Sequence, residues 1–210
     1  GETFTLRSAA RRIPAIAYNV IARQSPDAAR KIIVSAHIDA EDNSPGASDN
    51  AAGVVVLMLL AEMLAGRRSD VGLELIAFNG EDHYSAGGQM DYLRRYGAGL
   101  KETIVGINVD DAGYIHGKTA YSLYECPDEL QGAFRTTFGR YAGLMEGPQW
   151  YQGDHMIFVQ NGVPAVAVTS EAVVELMRDI THTPNDSPDK VDCRKLVELA
   201  GALRDFITRG

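Results

Sequence analysis

Apolar positions along the chain gather into short runs that end in turn residues and alternate with longer runs of helical period. Residues 16–23 (IAYNVIAR) and 31–36 (KIIVSA) are rich in β-branched side chains, and Ser25-Pro26-Asp27 between them reads as a turn. Residues 51–64 are apolar on nearly every face, which predicts a buried helix. Strands follow at 72–78 (GLELIAF), 103–109 (TIVGINV) and 164–169 (PAVAVT); helices are expected at about 85–96, at 129–141 and, amphipathic, at 192–208. Met156, Phe158 and Val159 are spaced like a core-facing helix stripe. Strands that are apolar on both faces and separated by helices predict a sheet covered on both sides. The expected fold is α/β: a three-layer α/β/α sandwich with a mixed, mostly parallel central sheet. Residues 1–18 show no clear period, and are expected to be an edge strand or the remnant of a missing accessory region; residues 1–210 are otherwise read as one domain.

Length and charge narrow the classes. The chain has 210 residues, 45% of them hydrophobic and 23% charged, ordinary values for a globular protein. Acids exceed bases, for a formal charge of −8, and no cluster of Lys and Arg exceeds a pair such as Arg94-Arg95, so nucleic acid is not an expected partner. The most apolar run, 51–61, is too short to span a bilayer. Two cysteines, Cys126 and Cys193, make neither a disulfide framework nor a thiolate zinc site, and leave open whether they pair. Gly1 opens the chain with neither a methionine nor a signal peptide; a soluble protein is expected, its compartment and oligomeric state open.

The chemistry lies where open α/β sheets bind ligands, just past the carboxyl ends of the strands. His37-Ile38-Asp39 follows the strand at 31–36, Glu81-Asp82 the strand at 72–78, and Asp110-Asp111 the strand at 103–109. Thr181-His182-Thr183-Pro184 comes after 164–169, and Asp49 immediately precedes the helix at 51–64. Acids and imidazoles thus land at one end of the sheet five times. Two imidazoles with several carboxylates and no thiol suit zinc or a similar cation, and clustering those carboxylates without one would cost repulsion and desolvation. Two divalent ions balance three ligating carboxylates and one hydroxide, which leaves a further carboxylate free to act as a base.

Six segments in order carry a resemblance: 37–40 (HIDA), 45–53 (PGASDNAAG), 78–82 (FNGED), 108–113 (NVDDAG), 153–165 (GDHMIFVQNGVPA) and 181–192 (THTPNDSPDKVD). Together they resemble the co-catalytic di-zinc exopeptidases of the aminopeptidase Y type, a family that also holds glutamate carboxypeptidases and glutaminyl cyclases. The resemblance implies that His37 and Asp110 bind one Zn2+, that Asp82 and His182 bind a second, and that Asp49 bridges the two. It implies Glu81 as general base, and Asp39 as the partner that accepts from the other nitrogen of His37 and fixes its tautomer. Asp82 stands where most relatives carry Glu, and the oxyanion-assisting tyrosine of some relatives has no match, although Trp150 and Tyr151 lie near the relevant loop as expected substrate contacts. The implied function is a zinc-dependent aminopeptidase removing N-terminal residues of peptides. Its rivals are a carboxypeptidase of the glutamate carboxypeptidase type, with Arg178 as the nearest group for a terminal carboxylate, and a non-catalytic binding module.

The remaining polar residues read as structural. His83 is expected at a helix start pointing away from the site, while His116 and His155 are expected to be structural. Asp154 is read as capping the helix after it, and the acids at 41, 42, 186 and 189 as turn and solvation residues.

Overall fold

The computed structural model describes residues 3–9, 11, 14–83 and 86–209. Its strands are β1 (Val20–Gln24), β2 (Arg30–His37), β3 (Val71–Phe78), β4 (Thr103–Val109), β5 (Thr119–Tyr124), β6 (Leu144–Glu146) and β7 (Ala165–Ser170). They form one sheet in the order β1-β3-β2-β4-β7-β5-β6. The central run β3-β2-β4-β7 is parallel, β1 and β5 join it antiparallel, and β6 pairs parallel to β5. The sheet is therefore mixed and mostly parallel, as expected.

Alternation along the strands fills two cores. Ile32, Val34 and Ala36 of β2, with Val105, Ile107 and Val109 of β4, face one side and pack against α1 (Ala52–Met63), α3 (Asp128–Phe138) and α6 (Cys193–Ile207). Ile33, Ile76, Phe78, Ala165 and Ala167 face the other, under α2 (Gly87–Tyr96) and α4 (Met156–Gln160). Both faces of the central strands are dry, which explains their continuous apolar runs. The second layer sits very close: a Cβ at Gly106 would stand 2.3 Å from the Phe158 ring. At the start of α6, the Asp192 carboxylate accepts the Arg194 amide at 3.0 Å, so the C-terminal helix begins at a side-chain cap.

Several expectations change. The helix at 51–64 is not buried all round: α1 buries Ala52, Val56, Leu57 and Leu60 but leaves Val55 and Met58 exposed, because it covers one face of the sheet and nothing covers its outer side among the described residues. Strands β5 and β6 and the short helix α5 (Val173–Asp179) fall outside the expected elements. The expected strand at 16–23 starts only at Val20, and the described residues before it carry no helix or strand. The helix expected from about 85 is described from Gly87; Tyr84 and Ser85 lie outside the described residues. Both cysteines are free, Cys126 buried and Cys193 exposed. No helix among the described residues is long and apolar enough to cross a membrane.

Candidate metal centre

Four parallel strands bring the site together at their carboxyl ends. His37 is the last residue of β2; Glu81 and Asp82 lie in the loop after β3; Asp110 directly follows β4; and His182 comes after β7 and α5. Asp49 sits in a one-turn π-helical segment, Ala47–Ala51, that leads into α1, with its peptide to Asn50 cis.

The geometry is that of two adjoining pockets sharing one carboxylate. His37 Nε2 lies 2.9 Å from Asp49 Oδ1 and 3.2 Å from Asp110 Oδ1. His182 Nε2 lies 3.1 Å from Asp49 Oδ2 and 3.0 Å from Asp82 Oδ1. The two oxygens of Asp49 thus face two different imidazoles. Each triad offers ligand atoms within 4.8 Å of one another, and His37 makes a similar group with Glu81 and Asp82. The sequence-expected ligands His37, Asp49, Asp82, Asp110 and His182 are therefore all brought together, with Glu81 beside them.

Tautomer and charge both ask for a cation here. His37 Nδ1 lies 3.0 Å from the backbone carbonyl of Asp39. A carbonyl can only accept, so Nδ1 carries the proton and Nε2 is left to face two carboxylate oxygens. Burial works against charge on His37, yet Asp110 and Asp49 outweigh it and push its pKa well above the ordinary range. Burial, reinforced by the charge of Asp49, raises Asp82 to about 6, and its Oδ2 is buried without a partner among the described residues. Burial, reinforced by Asp110, raises Glu81 to about 8. Left to itself, the cluster must hold extra protons to relieve its own repulsion; divalent cations between these oxygens and nitrogens would take their place. The all-N/O donor set, with imidazole on each side, fits zinc.

Around the ligands, some roles differ from those expected. The Asp39 carboxylate does not receive the His37 proton: its nearer oxygen is 3.9 Å from Nδ1, and the backbone carbonyl has taken that bond. Instead its oxygens accept the amides of Gly80 at 2.8 Å, Glu81 at 3.2 Å and Asp82 at 3.1 Å, so that Asp39 braces the loop carrying the acid pair. His83 points back rather than away, with Nδ1 3.4 Å from Asp39 Oδ2. Asp154 does not cap α4, which has no side-chain cap; its carboxylate is wholly buried and accepts from Gln89 of α2. His155 holds the loop as expected, its Nε2 2.9 Å from the Trp150 carbonyl. Arg178 is exposed and paired with Asp179 at 2.6 Å.

Of the two expected substrate contacts, Trp150 borders the site. A Cβ on Gly153 would stand 3.1 Å from the Trp150 ring and 3.4 Å from Asp110 Oδ2, which places the indole close behind a ligand. Tyr151 is exposed and meets Tyr124 edge-on. Asp186, expected to be a turn and solvation residue, is instead completely buried, and Gln89 carried no expectation. The position of Asp186 four residues after His182 inside the same segment was the available signal.

Comparison with known proteins identifies the family. The profile of peptidase family M28 matches residues 19–207, nearly the whole chain. The chain belongs to peptidase family M28. It is 27% identical over 184 residues to aminopeptidase YwaD of Bacillus subtilis (strain 168), covering 82% of this chain and 39% of that protein. The aminopeptidase from Aneurinibacillus sp. strain AM-1 superposes with a TM-score of 0.76 at 27% identity, over 90% of this chain and 47% of the other. BSAP, a zinc aminopeptidase from Bacillus subtilis, shares the fold with a TM-score of 0.77 at 23% identity, over 90% of this chain and 48% of its own. The M28 chain thus spans less than half the length of each of these relatives.

Proposed function

We propose that this M28 domain is the catalytic part of a zinc-dependent exopeptidase, an aminopeptidase that hydrolyses the N-terminal residue of peptides. One observation carries the reading: Asp49 turns its two oxygens toward two separate imidazoles, at 2.9 and 3.1 Å, with Asp110 completing one pocket and Asp82 the other. His37, Asp49 and Asp110 would hold one zinc, and Asp49, Asp82 and His182 a second. Zinc bound there supplies Lewis acidity toward the scissile carbonyl and brings the pKa of water down to about 7.

The chain's own residues do the rest. Glu81 is braced by Asp39 and stands beside both pockets, outside the pair of triads that share Asp49. Its role is to take the proton of the attacking water and deliver it to the leaving amine, a contribution of roughly 100- to 10,000-fold. A carboxyl that burial raises to about 8 gives up its proton readily once cations lie next to it, and takes one back when the amine departs. Asp39 is a positioning residue, since it holds amides and touches no reacting atom. Trp150, close to Asp110, is the proposed contact for the substrate's first residue, with the exposed Tyr151 next to it in the chain. For the carboxypeptidase alternative the basic candidate is Arg178, an exposed side chain paired with its neighbour Asp179.

The test is a panel of aminoacyl chromogenic substrates and acidic dipeptides, read with and without chelator. Cleavage of the aminoacyl substrates, lost on chelation and restored by zinc, is expected. Glu81→Gln should retain its zinc and lose roughly 100- to 10,000-fold in kcat. A zinc-loaded wild-type chain that cleaves nothing in the panel would favour a binding module instead.

A further inference from the structure

Asp186 sits in a polar loop, yet none of it reaches solvent. Its Oδ1 accepts the Ser48 amide at 2.7 Å and its Oδ2 accepts the Asp49 amide at 3.1 Å. Its backbone carbonyl accepts the Ala47 amide at 3.2 Å. Three successive amides at the start of the turn that carries Asp49 therefore end on one residue. On the other side, the Asp186 amide donates to the Thr183 carbonyl at 3.1 Å, which closes the loop that follows His182. A second tie runs alongside: Asp111 Oδ1 accepts the Ser48 hydroxyl at 2.8 Å, and Thr181 Oγ1 lies 3.4 Å from the same oxygen. The residues just before Asp49 and just before His182 thus meet on the residue just after Asp110.

This matters because Asp49 is held in an irregular backbone. Its φ of −115° and ψ of 86° lie outside the helical region, so the turn's own hydrogen bonds do not fix where the carboxylate points. A side chain that accepts two neighbouring amides on its two oxygens restricts that backbone more tightly than one with a single acceptor would. We propose that Asp186 is a positioning residue that locks the Asp49 turn to the His182 loop and so sets the spacing of the two cation positions. The inference rests on the di-zinc reading above and goes beyond it by assigning the brace. Asparagine at 186 keeps the shape but retains one acceptor oxygen, and turns an NH2 group toward an N–H. Alanine removes both acceptors.

The experiment is zinc binding to the wild type, Asp186→Asn and Asp186→Ala, by competition with a chromophoric chelator, beside backbone amide exchange of the zinc-free wild type. Partners behind metal ligands typically set affinity by about 10- to 100-fold. The expected result is a loss of that size for the weaker-held zinc, larger in the alanine variant, with activity recovered at excess zinc. The Ser48 and Asp49 amides of the wild type should exchange slowly even without zinc. Wild-type zinc affinity in both variants overturns the brace and leaves the enzyme reading intact. Should the variants not fold, the exchange decides alone: free-loop exchange rates at Ser48 and Asp49 overturn the inference. Failure of the wild type to bind two zinc equivalents overturns the functional reading and the inference with it.

Discussion

A single proton on His37 Nδ1 organises much of the site. The Asp39 carbonyl takes it, so the Asp39 carboxylate is free to accept the amides of Gly80, Glu81 and Asp82. The sequence already placed His37 and Asp39 two residues apart and on the site; which oxygen of Asp39 served the imidazole was not legible, because both lie within reach of a two-residue turn. Asp39→Asn would leave one anionic bond's worth of acceptor too few for three amides and loosen the loop that presents Glu81. A fall in kcat of roughly 10- to 100-fold is expected, with zinc content retained and KM little changed. Steady-state kinetics beside metal analysis checks it, and an unchanged kcat would contradict the brace. Asp186 and Asp154 were misread for a common reason. Short acids among Pro, Ser, Asn and Gly have the composition of a solvated turn or a cap, and only the tertiary packing reveals that both are buried.

Elements were legible in proportion to their hydrophobic signal. The strands β2, β3, β4 and β7 are buried on both faces and rich in Val, Ile and Leu, so each reads from the sequence to within a residue or two of its ends. By contrast β5 carries Thr119, Ser122 and two tyrosines, all buried, and a polar residue hidden in a sheet gives no pattern to read. With β6 only three residues long and Leu144 alone buried, no period exists at all. The candidate site was legible because its residues follow the strong strands; the buried acids Asp154 and Asp186 were not, because they lie in loops without a hydrophobic pattern. The packing of α4 on β4 provides a test at this scale. Gly106→Ala drives a methyl against the Phe158 ring in a filled core, and should destabilise the chain by about 1–3 kcal/mol. Denaturant unfolding at fixed zinc measures it; a loss below a few tenths would mean that the layer yields freely.

For the whole molecule, the carboxylate cluster makes stability depend on pH when zinc is absent. Burial raises Asp154 to about 7 against an ordinary 3.8; the positive His37 and the Gln89 bond pull it down, while the charges of Asp110 and Asp39 push it up. Across that interval the folded acid keeps its proton while the unfolded one has given it up. The native state therefore binds more protons, and its contribution to stability, full below about pH 3.8, is lost as pH rises through about 7. In zinc-free protein, Asp154→Asn should flatten the fall in stability between these limits relative to wild type. Parallel stability curves for the two proteins would contradict the assignment.

The proposed function requires one carboxylate, Asp49, to join two cations. Anomalous diffraction at the zinc edge from crystals of the zinc-loaded chain would locate them. Two peaks are expected, one on each oxygen of Asp49: the first in contact with His37 and Asp110, the second with Asp82 and His182. A single peak shared by both imidazoles, or none at Asp49, would rule out the bridged pair.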